Sequence, residues 1–342
     1  MTRSRAILEL SRDAILAHRR RAGDLDRRLP PGAESLRRAA RAGLTDSVPR
    51  AALLSIHARV HGTTPSSWED PALVQIWGPR FSAYVVADGD WAPFTLGRLP
   101  ESGMRRQRAL ETADRLEAFL DGRTMSYAQA GKAMGHDPNA LRYATLTGRV
   151  LIRWEGARRP TIRTVPAPDV EPRDARRELA RRFLHAMGPG TPVSFGAWAG
   201  LQPAPAAAAF EDLADELLPV RTPIGDGSVL TADEASFRRP ASAPRGIRLL
   251  PSGDSFALFW GFDRALLVPD ARRRGELWTS RVWPGALLVD GDIAGTWRRA
   301  RSEVAISAWR ALSNAEREAT QAEAAGLPLP DPAGPIRVAW SD

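Results

Sequence analysis

The chain contains no cysteine, and Lys132 is its single lysine. The absence of cysteine excludes disulfides, thiolate chemistry and zinc sites with cysteine ligands. No apolar run reaches the ~18 residues that a membrane-spanning helix needs, and residues 1–11 lack the apolar core of a signal peptide. Five histidines are scattered without metal-ligand spacing. We therefore expect a cytoplasmic protein that binds no membrane and uses no metal or other cofactor.

Composition points to several compact units and a polyanionic partner. A chain of 342 residues is too long for one ordinary hydrophobic core, and its 43% hydrophobic content is enough to build two to four compact units. The formal net charge is +8 and the sequence pI is about 10.9, which favours attraction to polyanions. Charge alone does not distinguish nucleic acid from an anionic membrane surface.

Residues Thr124–Val165 show the most informative local pattern. Their capping residues predict two short helices: Tyr127–Met134, which ends at Gly135, and Asn139–Thr147, which follows Asp137 and Pro138 and ends at Gly148. Strands Val150–Trp154 and Thr161–Val165 follow, around a basic hairpin tip. This order of elements predicts a winged helix.

A winged helix indicates duplex DNA as the partner. Asn139 and Arg142 on the second helix could reach base edges or phosphates in a major groove. Arg158 and Arg159 lie at the tip of the wing and are also candidates for DNA contact. Many winged helices pack only against protein, so both interpretations remain open.

The helix, helix and hairpin pattern recurs along the chain. We predict an α+β fold of three tandem winged helices followed by a C-terminal β-barrel-like domain, with boundaries at 1–100, 101–168, 169–240 and 241–342. In the first unit the helices are expected at Ser35–Leu44 and from Pro49 through His57, and strands at Leu73–Trp77 and Ala83–Val86.

The last unit is rich in short apolar runs and tryptophan. Strands are expected at Ile247–Leu250, Ala257–Trp260, Leu277–Trp278, Ala286–Val289, Ile293–Trp297, Ser302–Trp309 and Ile336–Trp340, with a helix at Ser313–Ala325. The tryptophans of this unit favour a core role over a base-stacking platform: Trp260, Trp278, Trp283, Trp297 and Trp309.

Several motifs together resemble those of bacterial winged-helix DNA glycosylases. They are Gly43-Leu44 with Pro49–Leu54, Val74–Arg80, Leu249–Asp254 and Leu288–Trp297. The resemblance covers most of the chain and implies excision of alkylated purines and unhooking of DNA crosslinks. Two arginines within these motifs, Arg50 and Arg80, are candidates for DNA contact.

The resemblance also locates the expected catalytic segment, where this chain departs from the family. The family has Gln-x-Gln or Gln-x-Asp after Gly-Leu, and this chain has Thr45-Asp46-Ser47. The hydroxyls of Thr45 and Ser47 could orient a water, and Asp46 could act as base and offset a sugar cation, although an extended segment points it to the opposite face. The alternative is that the segment only caps the following helix.

His57 is a further candidate base, since histidine titrates near pH 7. Arg59 beside it would disfavour a sugar cation but could hold a phosphate.

The sequence therefore predicts a monomeric DNA-binding protein of this family. Its hypothetical reaction is monofunctional: hydrolysis of the N-glycosidic bond of an alkylated purine in duplex DNA. The alternatives are a non-enzymatic winged-helix DNA-binding or regulatory protein that has lost the catalytic polar pair, and a protein-interaction module.

Overall fold

The structure is a computed structural model, and it describes residues 7–48, 50–154, 160–240, 246–257, 263–329 and 334–341. Helices and strands are mixed along the chain, and the described strands form sheets of three, five and six strands. The predicted α+β class is confirmed. No helix within the described ranges has the length and apolar character needed to cross a bilayer.

The N-terminal part, up to residue 100, supplies strands to two different sheets. Its elements are β1 (Leu8–Glu9), α1 (Arg12–Ala22), α2 (Ala33–Ala39), β2 (Leu44–Thr45), α3 (Ala51–Arg59), β3 (Leu73–Trp77) and β4 (Ala83–Ala87). Short 3₁₀ turns lie at Ser67–Glu69, Pro79–Phe81 and Leu96–Arg98. The strands expected at Leu73–Trp77 and Ala83–Val86 are confirmed.

The helix expected over Ser35–Leu44 was too long. Gly43 has φ +75°, a left-handed conformation that glycine adopts without strain, and a Cβ there would lie 2.8 Å from Phe94. Leu44 then pairs with Val85 in β4. This turn converts the end of the predicted helix into a strand and sets the position of the residues that follow.

The next part, to residue 168, follows the predicted order of elements. It comprises α4 (Met104–Leu120), β5 (Met125–Ser126), α5 (Tyr127–Ala133), a 3₁₀ helix (Pro138–Thr147), β6 (Val150–Arg153) and β7 (Thr161–Thr164). The Asp137 carboxylate accepts the Asn139 N–H at 2.8 Å, as its predicted capping position requires.

The first two parts share one sheet. Its strand order is β2-β4-β3-β6-β7-β5, and Gln75 of β3 stands opposite Ile152 of β6. The two parts are therefore joined by backbone pairing, which fixes their relative position.

The third part builds a small sheet with the N-terminal strand. Its elements are α6 (Pro172–Met187), α7 (Pro192–Ala199), α8 (Pro203–Glu211), β8 (Leu217–Thr222), β9 (Gly225–Leu230) and α9 (Glu234–Arg238), with 3₁₀ turns at Ala214–Glu216 and Thr231–Asp233. The hairpin of β8 and β9 takes β1 as a parallel third strand, with Leu8 opposite Val220.

The C-terminal part carries an open sheet instead of the expected barrel. Its elements are β10 (Ile247–Leu250), α10 (Arg264–Leu267), α11 (Ala271–Leu277), β11 (Gly285–Val289), β12 (Asp292–Ala300), β13 (Glu303–Ala308), α12 (Asn314–Ala325) and β14 (Arg337–Ser341). The order is β10-β11-β12-β13-β14, and the described β10 and β14 do not pair. Helix α12 contacts both of these edge strands. The helix covers the edges, which in a closed barrel would pair with each other.

Two details of the C-terminal prediction have different outcomes. Leu277 ends α11 and is not part of a strand, so the strand expected at Leu277–Trp278 was wrong. Trp278 and Trp297 are buried, as their predicted core role requires, and Trp283 and Trp309 pack against a core. Residues 258–260, which include Trp260, lie outside the described residues.

One large core connects all four parts of the chain. It includes Leu16 of α1, Ile76 of β3, Leu151 of β6, Phe195 of α7 and Leu288 of β11, each at most 2% exposed. Burial of this apolar surface is the main contribution that holds the parts together.

Candidate functional site

A cavity of about 730 Å³ lies where the first and second parts share their sheet. Aromatic rings form much of its wall, and small polar groups lie between them. The side chains on which the following description depends are Ser47, Trp77, Tyr127, Asn139, Arg142 and Trp154. Three of these six, Ser47, Asn139 and Arg142, are residues that the sequence proposed for catalysis or DNA contact.

The segment Thr45–Ser47 leaves the sheet at the edge of this cavity, and its three side chains take different directions. Thr45 is the last residue of β2, and its hydroxyl donates to the Gly253 carbonyl at 2.7 Å. Ser47 is exposed and lines the cavity. Of the two hydroxyls that could orient a water, only that of Ser47 faces the cavity.

Asp46 turns away from the cavity and is 2% exposed. One carboxylate oxygen accepts the Ala52 N–H at 3.1 Å, in the first turn of α3. The other accepts the Gln75 amide at 2.8 Å, and the Arg50 guanidinium lies 4.0 Å away. Asp46 thus satisfies one N–H in the first turn of α3 from outside the helix. The N-cap residue itself is Arg50, which makes no side-chain capping bond, so the ordinary N-cap predicted for Thr45–Ser47 is not formed.

Burial changes the acidity of Asp46. Removal of the carboxyl from water raises its pKa to about 7, although the Ala52 N–H, the Arg50 charge and the Gln75 amide each favour the charged form. Near neutral pH the group is thus divided between its acid and its carboxylate, a property found at many active sites.

Gln75 connects Asp46 to the cavity wall. Its amide nitrogen donates to Asp46, and its oxygen accepts the Trp154 backbone N–H at 2.5 Å. No role was predicted for Gln75 itself. The available signal was a long polar side chain within the apolar strand Leu73–Trp77, where it is 5% exposed.

Asn139 and Arg142 reach the same cavity from the 3₁₀ helix. Asn139 is exposed, and its side-chain oxygen lies 3.4 Å from the Tyr127 hydroxyl. The Arg142 guanidinium lies 5.7 Å from the centre of the Trp77 ring, and its Nε has no hydrogen-bond partner among the described residues. Both side chains retain donors for a ligand.

The remaining predicted DNA-contact arginines lie outside the cavity or outside the described residues. Arg50 donates to the Trp154 carbonyl at 3.2 Å and stacks 3.7 Å from the Trp68 ring centre, so it supports the wall of the cavity. Arg80 is exposed and lies against Gly200, outside the cavity. Arg158 and Arg159 lie outside the described residues.

The structure places His57 away from this cavity. Its side chain is on the part of α3 near α12, where Arg28 pairs with Glu323, and its Nδ1 is 2.7 Å from the Thr63 hydroxyl. Burial, together with the positive charge of Arg28, lowers the pKa of His57 to about 4. The imidazole is neutral at neutral pH.

Arg59 is a structural residue in this arrangement, and the phosphate role suggested for it does not fit. Its guanidinium makes two hydrogen bonds, of 2.7 and 2.8 Å, with the carboxylate of Asp254. Both side chains are at most 2% exposed. The pair also explains the motif Leu249–Asp254, because its last residue joins the C-terminal part to α3.

One group of residues within the described chain has the spacing of metal ligands, at a distance from this cavity. The ligand atoms of His18, His185 and Asp233 lie within 4.8 Å of one another.

Comparison with known proteins identifies the class. The family model described as "DNA glycosylase AlkZ-like" matches residues 36–328, most of the chain. The chain belongs to this AlkZ-like DNA glycosylase family.

Two individual matches are to DNA glycosylases of Streptomyces sahachiroi. The interstrand DNA cross-link repair glycosylase of that organism is 29% identical over 164 residues, which cover 45% of this chain and 42% of that protein. The match thus spans less than half of the relative's length. The solved structure of Streptomyces sahachiroi DNA glycosylase AlkZ aligns with a TM-score of 0.77 at 20% identity, covering 98% of this chain and 100% of that one. The structural match establishes a common fold.

Proposed function

We propose that this chain is a monofunctional DNA glycosylase that hydrolyses the N-glycosidic bond of an alkylated purine in duplex DNA. The observation that carries the proposal is the meeting of Ser47, from the segment that replaces the family's catalytic pair, with Asn139 and Arg142 at one aromatic cavity. Membership of the AlkZ-like family adds the reaction class.

The walls of the cavity suit a purine base. Trp77, Tyr127 and Trp154 present rings on which a base can stack, and the Asn139 amide can hydrogen-bond to its edge. The Arg142 guanidinium is the only charge among the described lining residues, and in this proposal it holds a DNA phosphate. Aromatic rings beside polar groups that can orient a ligand are common in small-ligand sites.

The proposed reaction needs a water and a leaving base. The water oxygen forms a bond to the sugar C1′ as the C1′–N bond breaks, the base takes the electron pair, and one water proton passes to solvent. An alkylated purine carries positive charge and leaves as a neutral base, which lowers the demand on a general base. In this mechanism Ser47 orients the water by hydrogen bonding.

Asp46 acts as a positioning residue in this proposal. Through Ala52 and Gln75 it fixes both the start of α3 and the backbone of Trp154, and Ser47 follows it directly. Loss of its carboxylate would displace both sides of the cavity. The groups at the cavity must be positioned precisely, because small misplacements of reacting groups have large effects on rate.

We further propose that 1–100, 101–168 and 169–240 are winged-helix units, followed by a β domain at 241–342, and that the chain acts as a monomer. Helices followed by a two-stranded hairpin occur in each of the three units, which supports the repeat. In this arrangement the second unit grips DNA, and the first supplies the chemistry.

The direct test is incubation with duplex DNA that carries one N7-methylguanine or N3-methyladenine, followed by heating in alkali. Strand cleavage by the wild type that falls at least tenfold in Ser47→Ala and Asp46→Asn supports the proposal. Ser102→Ala is the matched control, because Ser102 is exposed and outside the cavity. Thermal unfolding of each variant separates loss of activity from loss of folding.

The second candidate function is a DNA-binding protein without enzymatic activity. It is favoured by the hydrogen bonds of Thr45 to Gly253 and of Asp46 to Ala52 and Gln75, which leave Ser47 as the one hydroxyl of this segment at the cavity. Tight, salt-sensitive binding of duplex DNA without base release from any alkylpurine would favour this candidate.

A further inference from the structure

A second cavity, of about 360 Å³, lies between α1, α2, α6 and α9, away from the proposed base site. Its unusual property is the number of guanidinium groups in its lining. They are Arg19, Arg21, Arg38, Arg41, Arg59 and Arg182.

Four of these arginines have carboxylate partners. Arg19 pairs with Asp263, Arg38 with Asp24, Arg59 with Asp254 and Arg182 with Asp90. Their charges are therefore balanced within the protein. They make the cavity polar without leaving it strongly positive.

Arg21 and Arg41 supply positive charge that is not balanced in this way. Arg21 donates from Nη2 to the Ser236 carbonyl at 2.6 Å, but its Nε and Nη1 are shielded from water and have no hydrogen-bond partner. Arg41 is exposed, and no carboxylate in the described parts of the chain pairs with it. Unsatisfied buried donors are costly, and turning Arg21 toward an anion in the cavity would satisfy them.

A histidine and its carboxylate complete the lining. The His185 Nδ1 is 2.9 Å from the Asp233 carboxylate, which orients the imidazole and leaves its Nε2 available. Because Nδ1–H donates to Asp233, the neutral ring presents a lone pair at Nε2, and His185 lines the cavity as a hydrogen-bond acceptor.

The same histidine belongs to the group with metal-ligand spacing, but the surroundings disfavour a cation. His18 Nε2 donates to the His185 carbonyl and its Nδ1 accepts from the Ser236 hydroxyl, both at 2.9 Å, so neither nitrogen is available without rearrangement. The excess of arginine around the cavity opposes a metal ion and favours an anion.

We propose that this cavity is a binding site for a phosphate group, with Arg21 and Arg41 as its donors. Guanidinium groups match the oxygen geometry of phosphate, and a cavity of this size is at the lower end of the ~300–1,000 Å³ that small-molecule sites occupy. The phosphate could belong to a free nucleoside monophosphate or to the backbone of bound DNA. This site goes beyond the proposed glycosylase reaction and does not depend on it.

The test is calorimetric titration of the full chain with inorganic phosphate and with deoxyadenosine monophosphate, and measurement of the affinity for undamaged duplex DNA. The variants are Arg21→Gln and Arg41→Gln. Arg272→Gln is the matched control, since it removes one exposed positive charge outside this cavity. Circular dichroism and thermal unfolding confirm that each variant is folded.

Saturable binding of phosphate or the nucleotide that weakens at least tenfold in both variants, but not in the control, would assign the site to a free ligand. A tenfold loss confined to DNA affinity would assign it to a backbone phosphate. The proposal is wrong if no phosphate species binds, or if the control loses as much affinity as the two variants. Zinc binding that depends on His185, without phosphate binding, would also overturn it.

Discussion

Replacing Arg59 by methionine would leave a charged group buried without its partner. The Asp254 carboxylate is fully shielded from solvent and accepts two hydrogen bonds from Arg59, one from the Ser55 hydroxyl at 2.6 Å and one from the Phe256 N–H at 2.9 Å. Burial alone would raise the pKa of Asp254, but Arg59 and these hydrogen bonds hold it below its ordinary value. The carboxylate is therefore charged at neutral pH.

The expected cost follows from that geometry. Removing one partner of a buried ion pair destabilises a protein by about 3–5 kcal/mol, because the remaining charge stays desolvated. The double variant Arg59→Met, Asp254→Leu should be more stable than Arg59→Met alone, since no unpaired charge remains. The assay is chemical denaturation at pH 7, monitored by tryptophan fluorescence.

A surface pair provides the control. Arg238 is 58% exposed in its pair with Glu234, and Arg238→Gln should cost no more than about 1 kcal/mol. If Arg59→Met were no more destabilising than Arg238→Gln, or if the double variant were the least stable of all, the buried pair would not be what joins α3 to the C-terminal part.

Three further predictions concern packing, DNA affinity and pH. Gly285→Ala should destabilise the fold by about 1–3 kcal/mol, because its Cβ would lie 2.2 Å from the Trp297 indole nitrogen; unchanged thermal unfolding would contradict this. Arg142→Gln should lower duplex affinity and reduce the slope of log K against log salt by about 1, and an unchanged slope in binding titrations would exclude a phosphate contact. Asp46 gains a proton on folding at pH values between its unfolded pKa and about 7, so its contribution to stability is full at low pH and is lost as pH rises through about 7. The free energy of unfolding, measured by denaturation, should differ less between pH 5 and pH 8 in Asp46→Asn than in the wild type. An equal difference in the two proteins would refute the raised pKa.

Local signals in the sequence were sufficient for much of the fold. The cap at Asp137 places the 3₁₀ helix, and Ser313 forms the reciprocal capping box with Glu316 that begins α12. Strands β6 and β7 agree with their predicted bounds to within one residue at each end. These features depend on residues close together in the chain, so a single sequence contains the information.

Pairing between distant segments was not predictable in the same way. The sheet that joins the first two parts depends on Gln75 opposite Ile152, and the third sheet depends on Leu8 opposite Val220. The open C-terminal sheet differs from the expected barrel because α12 contacts both of its edges. No periodicity in the sequence specifies which remote strands meet.

The same limit applies to the candidate site. The sequence selected Ser47, Asn139 and Arg142 separately, and only the tertiary structure brings them to one cavity. The extended segment also predicts that the Asp46 side chain points to the face opposite Thr45 and Ser47. The residue that binds Asp46 there, Gln75, lies on another strand and could not be identified from the segment alone. The pKa of His57 depends on Arg28, which is distant along the chain.

Mass-spectrometric detection of the free base tests directly whether this protein releases a damaged base from DNA. Duplex DNA with one N3-methyladenine is incubated with the wild type and with Ser47→Ala. If the protein is a monofunctional glycosylase, the wild type releases free 3-methyladenine and leaves an intact abasic strand, and Ser47→Ala does so at least tenfold more slowly. Binding of the same duplex without release of any base, from this and other alkylpurines, would contradict it.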